Sequence, residues 1–534
     1  MLNVGFALQG SNKNIYMKKL FINGEWVGAI GGQEFELVNP ATEEVIVQLP
    51  FAGGEDCRVA IGVAATAFLS WSRTTPYVRA GILKKTAQLI RERLESFAKD
   101  MVLECGKPIA EARGEWNVAA NLFEWYAEEA KRAYGRVIPT YRPDKRSTVI
   151  WQPMGVIGVI TAWNFPAYNP ARAWAAALGA GCTVVAKPAE TTPLSAFHLV
   201  EVLAEAGLPK GVLNLLIGDP AAIGDAMLDH PALRKISFTG STRVGKLLMD
   251  GASRTHTRLS LELGGNAPVL IFDDVDVDAI AKAAAIARFR NNGQVCVAPQ
   301  RFYIHKKIYA EFARLVTGYV AALKTGSGFD ETVQVGPLIT RRQRDSVVAL
   351  LEKARAEGAV VLTGGDAPAG DRPAGDVSVM GAPGGEVLIG GNASAGSGNS
   401  GSSGNLGNPG IPGKGYFLRP AVVACSDQSS SLARQEIFGP VLPLFSFEDT
   451  EDAIAKANDT EYGLAAYIFT NHLQTAIHVS ERLEFGIVGI NEWAPHGTEA
   501  PFGGWKYSGQ GHESGSEGLY EYLEKKLISI GGLA

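Results

Sequence analysis

Three residues in separate parts of this sequence have the chemistry of a nucleophilic active site. Cys296 follows a turn at Gly293 and Gln294 that can present a side chain to a cleft, and a thiolate is a strong nucleophile once its pKa is lowered. Glu262 precedes two glycines, and its carboxylate can serve as a general base for water. Asn164 ends another apolar run, where its amide can donate to an oxyanion. Each has a simpler alternative, namely a buried core thiol, a turn carboxylate and an Asn-x-Pro turn without chemistry.

Two further motifs are typical of a dinucleotide site. Gly240 and Ser241 lie where a strand gives way to a helix, so that Ser241 can cap the helix and free amides can hold a pyrophosphate. Many such turns carry glycine without a ligand, and the spacing differs from the usual fingerprint. Lys187 and Glu190 follow another strand, where an acidic side chain can bind ribose hydroxyls and repel a 2′-phosphate. The alternative is a solvated turn with a surface ion pair.

The elements that carry these residues alternate between strand and helix. Apolar spacing predicts amphipathic helices at 77–104 and 117–134. Short β-rich runs at 156–162, 183–186, 213–216 and 235–238 alternate with helical stretches at 171–178, 193–206 and 220–228. This order predicts an α/β fold with parallel sheets covered by helices on both faces. Two such layers follow in series, one ending near 262 and another covering about 267–490.

Composition excludes several classes of function. A chain of 534 residues corresponds to two or three domains. The net charge of -5 leaves no electrostatic footprint for nucleic acid and no polybasic membrane patch, so neither partner is expected. Five cysteines without Cys-x-x-Cys spacing favour a reducing, cytoplasmic compartment and no zinc cluster, and no metal site is predicted. No uncharged apolar run of about 18 residues is present to span a bilayer.

Two segments fall outside the α/β pattern. Residues 364–415 are crowded with Gly, Ser, Pro, Ala and Asn, which bury too little apolar surface to offset ordering entropy. We interpret them as a surface insertion, with a functional lid as the alternative. Residues 1–17 lack the apolar stretch of a secretory signal and are expected to be a flexible tail.

Seven motifs in this order resemble those of the NAD(P)-dependent aldehyde dehydrogenase superfamily. The resemblance covers about residues 18–534 apart from the insertion. The motifs are WNFP at 163–166, KPAE at 187–190, FTGST at 238–242, LELGG at 261–265, GQVC at 293–296, EIFGP at 436–440 and PFGG at 501–504.

The resemblance implies a subunit of three parts. These are a Rossmann-like cofactor domain at 18–133 and 152–263, an α/β catalytic domain at 264–512 that contains the insertion 364–415, and a small β oligomerisation arm at 134–151 and 513–534. Exchange of the arm implies a homodimer or homotetramer.

The resemblance also implies a role for each motif residue. Cys296 becomes the nucleophile, Glu262 the general base, and Asn164 with the Cys296 backbone amide the oxyanion hole. The cofactor is NAD, with NADP possible, and Glu190 favours NAD. The implied cofactor-binding residues are Thr161, Ala162, Trp163, Lys187, Glu190, Gly240, Ser241, Leu263, Glu436 and Phe438.

Within the superfamily, the chain is most similar to the succinate semialdehyde dehydrogenase branch, at 261–268 and in the YLEKK ending at 522–526. Arg172 and Arg290 fall where that branch places its substrate-carboxylate clamp, and arginine suits a carboxylate or sulfonate. The alternative is that either arginine holds a structural carboxylate. Trp493 and His496 replace the small hydroxyl residues of that branch, and they suit a sulfonated, keto or sugar-derived aldehyde. A neutral aldehyde substrate and a non-catalytic protein on this fold are the remaining alternatives.

Overall fold

The computed structural model of the protein describes residues 19–367 and 412–533. The expected tail at 1–17 and most of the insertion at 364–415 lie outside these residues. The strands are β1 Leu20–Ile22, β2 Glu25–Val27, β3 Glu34–Val38, β4 Val45–Pro50, β5 Arg136–Ile138, β6 Arg146–Pro153, β7 Val156–Ile160, β8 Thr183–Lys187, β9 Leu213–Leu215, β10 Leu233–Thr239, β11 Arg258–Glu262, β12 Ala267–Ile271, β13 Pro299–His305, β14 Val360–Thr363, β15 Ala421–Ala424, β16 Val441–Phe447, β17 Tyr462–Gly463, β18 Ala465–Phe469, β19 Ile487–Ile490, β20 Trp505–Lys506, β21 Gly509–Gln510 and β22 Leu523–Ile530.

Helices cover the sheets, and several follow one another in the N-terminal part of the chain. They are α1 Gly54–Trp71, α2 Pro76–Glu92, α3 Leu94–Cys105, α4 Ile109–Glu129, α5 Tyr168–Ala180, α6 Leu194–Glu205, α7 Pro220–Asp229, α8 Thr242–Ala252, α9 Val277–Phe289, α10 Tyr309–Ala321, α11 Arg341–Ala356, α12 Ser431–Arg434, α13 Thr450–Asn458, α14 Leu473–Arg482 and α15 Glu517–Tyr520.

The first large sheet carries the motifs expected to bind a dinucleotide. Among the described residues its order is β2-β1-β9-β8-β7-β10-β11-β21, and the strands from β9 to β11 are parallel. From β7 the chain first adds β8 and β9 on one side and then β10 and β11 on the other side. The crevice between β7 and β10 is the position where open α/β sheets bind ligands. Asn164, Lys187, Gly240 and Glu262 all lie at or just after the carboxyl ends of these strands.

The second large sheet carries the nucleophile candidate. Among the described residues its order is β14-β15-β16-β13-β12-β18-β19, and all neighbours except β14 and β15 are parallel. Cys296 precedes β13 and Glu436 precedes β16, so both lie at the amino edge of this sheet. Residues 263–266 join β11 directly to β12. The amino edge of the second sheet is thereby tied to the carboxyl edge of the first.

A three-stranded sheet of β22, β6 and β5 forms the segment expected to be the arm. β22 pairs antiparallel with β6 from Leu523 opposite Pro153 to Ile530 opposite Arg146. The strands next to these in the chain, β4, β7 and β21, belong to other sheets. Of these, β21 extends the first large sheet rather than the second. The domain boundaries given above stay a prediction.

Each large sheet has buried apolar clusters on its two faces. Trp116, Trp174 and Phe197 belong to the cluster between the first sheet and helices α2 to α6. Phe238 and Leu261 belong to the cluster on the opposite face, with α1, α7 and α8. The α/β layering predicted from the sequence is therefore confirmed. Among the described residues, no helix combines the length and hydropathy needed to cross a bilayer.

Two helices differ from their predicted bounds. The helix predicted at 77–104 bends at Arg93 into α2 and α3, because Arg93 leaves helical geometry with φ of -112° and ψ of 14°. The helix predicted at 117–134 begins at Ile109 and ends at Glu129. The first two turns of α4 contain Glu111 and the buried Glu115, charged residues that interrupt the apolar periodicity.

Candidate active site

Two cavities meet at Cys296. One has a volume of about 380 Å³ and reaches the carboxyl edge of the first sheet. The other has a volume of about 490 Å³ and extends toward Arg290 and His496. Cys296 and Glu262 line both cavities. A thiol and a carboxylate thus lie where the two cavities meet, as expected for the predicted nucleophile and general base.

The turn before Cys296 has an unusual backbone. Asn291 and Asn292 have φ of 47° and 59°, a left-handed conformation that asparagine adopts more readily than most residues. Gly293 has φ of 73°, and a Cβ there would lie 2.3 Å from the carbonyl oxygen of Gly439. Sequence reasoning found the Gly-Gln turn, and the Asn-Asn pair before it is a signal that was missed. These residues turn the chain so that Cys296 reaches the junction of the cavities.

The surroundings of the Cys296 thiol oppose its ionisation. Burial raises its pKa to about 12, although Arg172 acts in the opposite direction. Burial raises the pKa of Cys57, Cys105 and Cys425 to about 12 as well. What distinguishes Cys296 is therefore its position, since those three thiols are buried in the core, whereas Cys296 is only partly buried and faces both cavities.

Glu262 is a buried carboxylate without a hydrogen bond to any described residue. Its side chain ends β11 and is 3% exposed, and neither carboxylate oxygen has a partner. Burial raises its pKa well above the ordinary value, and Arg172 offsets part of this effect. A raised pKa makes a carboxylate a stronger base, which is the property that a general base for water needs.

Asn164 is held by both its backbone and its side chain. Its Nδ2 donates to the carbonyl of Gln294 at 3.0 Å, and its own carbonyl accepts from Asn291 Nδ2 at 2.7 Å. Asn169 Nδ2 lies 3.4 Å from its Oδ1. An amide has two N–H groups, so one remains for the cavity that Asn164 lines beside Cys296. This arrangement suits an oxyanion donor.

Most of the residues expected to bind cofactor line the smaller cavity. They are Ala162, Trp163, Gly240, Ser241, Leu263, Glu436 and Phe438. Ser241 caps α8 by accepting from Val244 N, so the amino end of this helix faces the cavity. The edge of Trp163 meets Phe438, with ring centroids 5.3 Å apart. Anions are favoured at such a helix terminus.

Glu436 is anchored by the chain that joins the two sheets. Its Oε1 accepts from Gly265 N at 3.0 Å, and burial raises its pKa to about 7. A Cβ on Gly264 would lie 2.5 Å from this carboxylate. Gln300 accepts from Ile437 N at 2.9 Å and thereby fixes the segment that carries Glu436 and Phe438. Sequence reasoning missed Gln300, because the contact joins residues 137 positions apart.

The remaining expected cofactor residues lie farther along the strand edge. Lys187 ends β8 and forms an ion pair with Glu190, and Thr161 N donates to the Lys187 carbonyl at 3.2 Å. These three side chains are outside the lining of the smaller cavity. Lys187 is buried whereas Glu190 is partly exposed.

The two arginines expected to clamp a substrate differ in their surroundings. Arg172 is 2% exposed and pairs with Glu513, and its guanidinium packs on the rings of Tyr168 and Phe502 at 5.0 and 4.6 Å. Arg290 forms no ion pair with any described residue, and its guanidinium lies 5.8 Å from the Phe165 ring. Both line the larger cavity. Arg172 therefore has a buried carboxylate partner, whereas Arg290 has no carboxylate within ion-pair distance among the described residues, although its charge lowers the pKa of the nearby Glu111 carboxyl against the effect of burial.

His496 and Trp493 have different positions. His496 lines the larger cavity, and burial together with Arg290 and Arg172 lowers its pKa to about 4, so that it is neutral at pH 7. Trp493 lines a neighbouring cavity of about 420 Å³ with Arg290. Its ring packs on Phe469 at 4.2 Å, so it supports the wall rather than facing Cys296.

The family follows from comparison with known proteins. The sequence model of the aldehyde dehydrogenase family matches residues 26–377 and 399–528. The chain belongs to the aldehyde dehydrogenase family. The break in the match falls inside the segment expected to be an insertion. The predicted family, its α/β fold and its enzyme class, an NAD(P)-dependent aldehyde dehydrogenase, are confirmed.

Relatives and solved structures agree with this assignment. The chain is 40% identical to the glutarate-semialdehyde dehydrogenase of Pseudomonas putida, over 98% of this chain and 100% of the relative. It is 39% identical to the NADP-dependent succinate-semialdehyde dehydrogenase GabD of Escherichia coli, over 98% and 99%. The crystal structure of succinate-semialdehyde dehydrogenase from Burkholderia pseudomallei is 37% identical, with a TM-score of 0.88 over 98% of this chain and 100% of that one.

The burial of Cys296 in this aldehyde dehydrogenase predicts how its alkylation depends on pH. Because the thiolate is the reactive form and the pKa is raised to about 12, the thiolate fraction increases with pH throughout the usual range. Without cofactor, alkylation by iodoacetamide should accelerate about tenfold for each pH unit between pH 7 and 9. Mass spectrometry of the Cys296 peptide measures the rate, with Cys296→Ala as the blank. A rate that levels off near pH 7 would contradict the assigned environment.

Proposed function

We propose that this aldehyde dehydrogenase oxidises an aldehyde that carries a distal anionic group to the corresponding acid. The observation that carries the proposal is Arg290, a guanidinium without an ion pair among the described residues, on the wall of the cavity that leads to Cys296. A carboxylate or sulfonate is the natural partner of such a cation. Two of the relatives above are named for semialdehydes of dicarboxylic acids, and a 3-sulfolactaldehyde dehydrogenase of Pseudomonas putida is 37% identical over 98% of this chain.

The reaction starts at Cys296. Its Sγ, as the thiolate, adds to the aldehyde carbon and forms a tetrahedral adduct whose oxygen becomes negative. The free N–H of Asn164 and the backbone amide of Cys296 donate to that oxygen. Loss of one such donor typically costs about 10²–10³ in rate.

The residues of the smaller cavity fit a nicotinamide dinucleotide. Their fit rests on the amino end of α8 behind Ser241 and on a cradle at Gly264 that a Cβ would fill. Glu436 and Phe438 would hold the nicotinamide end, and Lys187 with Glu190 the adenosine ribose. When bound, NAD(P) supplies a hydride acceptor. The side chains of this chain hold the adduct against the cofactor cavity, and Cys296 is left as a thioester.

Glu262 completes turnover. Its carboxylate takes a proton from water, the hydroxide adds to the thioester carbon, and the carboxylic acid leaves while Cys296 regains its thiol. The absence of any hydrogen-bond partner among the described residues leaves both oxygens available for that water. Burial raises its pKa well above the ordinary value, which makes the carboxylate a stronger base.

We further propose that two or four copies assemble through the sheet of β5, β6 and β22. Val137, Tyr141, Leu527 and Ile530 on or beside these strands are exposed, at 73%, 110%, 62% and 49%. Exposed apolar side chains in one region mark an interface, and most soluble oligomers join identical chains. A cytoplasmic location remains our proposal, consistent with five cysteines that form no disulfide.

Removal of Arg290 tests the anionic substrate. Arg290→Met should lower kcat/KM for succinate semialdehyde by about tenfold to hundredfold, since one charge-assisted hydrogen bond contributes about 1.5–3 kcal/mol. Oxidation of butanal, a neutral aldehyde of the same chain length, should change by less than about threefold, because it makes no such bond. NADH absorbance measures both.

The same assay decides between an acidic and a neutral substrate. Equal losses for both aldehydes would mean that Arg290 supports the cavity wall. A wild-type preference for butanal would favour the neutral-aldehyde alternative.

Glu262→Gln separates the two halves of the reaction. The amide cannot take a proton from water, so the first turnover should still release a burst of NADH close to one equivalent per site, while steady-state turnover falls by about 10² or more. Stopped-flow absorbance shows both phases, and Cys296→Ala should show neither. Unchanged steady-state turnover would rule out the general-base role.

Glu190 should set the preference for NAD over NADP. Its carboxylate repels a 2′-phosphate, so Glu190→Gln should raise kcat/KM for NADP by about tenfold while NAD use changes little or falls. Glu190→Asp keeps the charge and is the matched control. Comparable kcat/KM for NAD and NADP in the wild-type enzyme would contradict the preference.

A further inference from the structure

Three charged residues that the reaction does not use lie beneath the segment that carries Asn164. Lys107 lies two residues before the start of α4, and Glu111 and Glu115 lie one turn apart in the first half of the helix. Lys107 and Glu115 are 1% and 6% exposed. Buried charges are costly unless they are paired and hydrogen-bonded, so their partners indicate what they do.

Lys107 contacts the Asn164 segment directly. Its ammonium forms an ion pair with Glu115 and donates to the Asn164 carbonyl at 2.9 Å. It also lies 4.4 Å from the centroid of the Phe165 ring, a favourable cation–π distance. Burial acts to lower the pKa of Lys107, but the Glu115 and Glu111 carboxylates oppose it, and the pKa lies above the ordinary value, so Lys107 is charged at neutral pH.

Glu115 holds the other end of the same segment. Its Oε1 accepts from the backbone N–H groups of Ala167 and Tyr168 at 2.8 and 3.1 Å. These amides begin α5, which has no side-chain cap of its own. Glu115 therefore caps α5 from α4, and the Lys107–Glu115 pair fixes residues 164–168 at both ends.

Glu111 fixes the turn on the other side of Asn164. Its Oε2 accepts from Asn291 N at 2.7 Å. Asn291 in turn donates from Nδ2 to the Asn164 carbonyl, and the same group lies 3.3 Å from the Gln294 carbonyl. The first half of α4 thus supports both the segment that carries the amide donor and the turn that leads to Cys296.

We propose that Lys107 and Glu115 are positioning residues that aim the free N–H of Asn164 at the oxyanion. This inference rests on the oxyanion role proposed for Asn164. The carbonyl of Asn164 accepts from Lys107 and Asn291, and its Nδ2 donates to Gln294, so the direction of the second N–H follows from the placement of the peptide. Loss of the pair lets the segment from 164 to 168 tilt, and a misplacement of about 1 Å can cost about 10² in rate.

The test compares two reactions of the same thiol. Addition to an aldehyde creates an oxyanion, whereas alkylation by iodoacetamide displaces iodide and creates none. Lys107→Met and Glu115→Gln should slow the NADH burst by about tenfold to hundredfold and leave the alkylation rate of Cys296 within about twofold of wild type. If Lys107→Met does not fold, Glu115→Gln, which keeps the shape and one acceptor, carries the test.

A matched control separates positioning from stability. Glu104 is also buried, and it accepts from Leu194 N and Ser195 N at the start of α6 as Glu115 does for α5. Glu104→Gln should leave the burst rate unchanged, whatever its effect on the thermal unfolding midpoint.

Double variants that also carry Asn164→Ala test whether Lys107 affects the burst through Asn164. Lys107→Met should slow the burst no further in the Asn164→Ala background, since both changes remove the same donor. Additive losses, or equal losses in burst and alkylation, would overturn the positioning role. A slow burst in Asn164→Ala beside a normal burst in Lys107→Met and Glu115→Gln would overturn this inference alone. A normal burst in Asn164→Ala would overturn the proposed role of Asn164 and this inference with it.

Discussion

The backbone of Gly264 and Gly265 passes between Cys296 and Glu436 with no space for side chains. A Cβ on Gly265 would lie 2.3 Å from the Cys296 carbonyl oxygen, and one on Gly264 would lie 2.5 Å from the Glu436 carboxylate. Both glycines belong to the segment 263–266, which follows Glu262 and joins the two large sheets. The close approach therefore brings together Glu262 at the end of β11, Cys296 before β13 and the segment that carries Glu436. The rest of the site depends on this contact.

The two arginines of the larger cavity differ in how the described residues pair them. Arg172 lies beside Glu262 and Cys296 in the cavity lining, but Glu513 neutralises it in a buried pair. Burial raises the pKa of both the Glu262 carboxyl and the Cys296 thiol, and Arg172 offsets part of this effect, while Glu513 raises the pKa of Glu262 further. Arg290 has no such partner among the described residues. The two arginines of this cavity therefore differ in pairing, which is the observation that separates their proposed parts.

Helix α4 shows why part of the site could not be read from the sequence. Strand-end residues such as Lys187, Gly240 and Glu262 were predictable, since parallel strands place their carboxyl ends along one edge. Lys107 and Glu115 were not, because charged residues in a helix usually mark a solvated face. Their significance comes from contacts with Asn164 and Ala167, which are more than 50 residues away in the chain. Glu111 and Glu115 also interrupt the apolar periodicity, so the start of α4 was predicted too late in the sequence.

The sequence by itself determined the order of strands and helices, the turn residues and the chemical types of the reacting groups. These follow from periodicity, from residues that tolerate turns and from motif spacing, all of which are local. The tertiary structure decided which arginine is paired, that His496 is neutral, that Trp493 packs in the wall and that α4 supports the Asn164 segment. The physical reason is that burial and pairing set the charge and direction of a side chain, and both depend on neighbours that only the folded chain brings together.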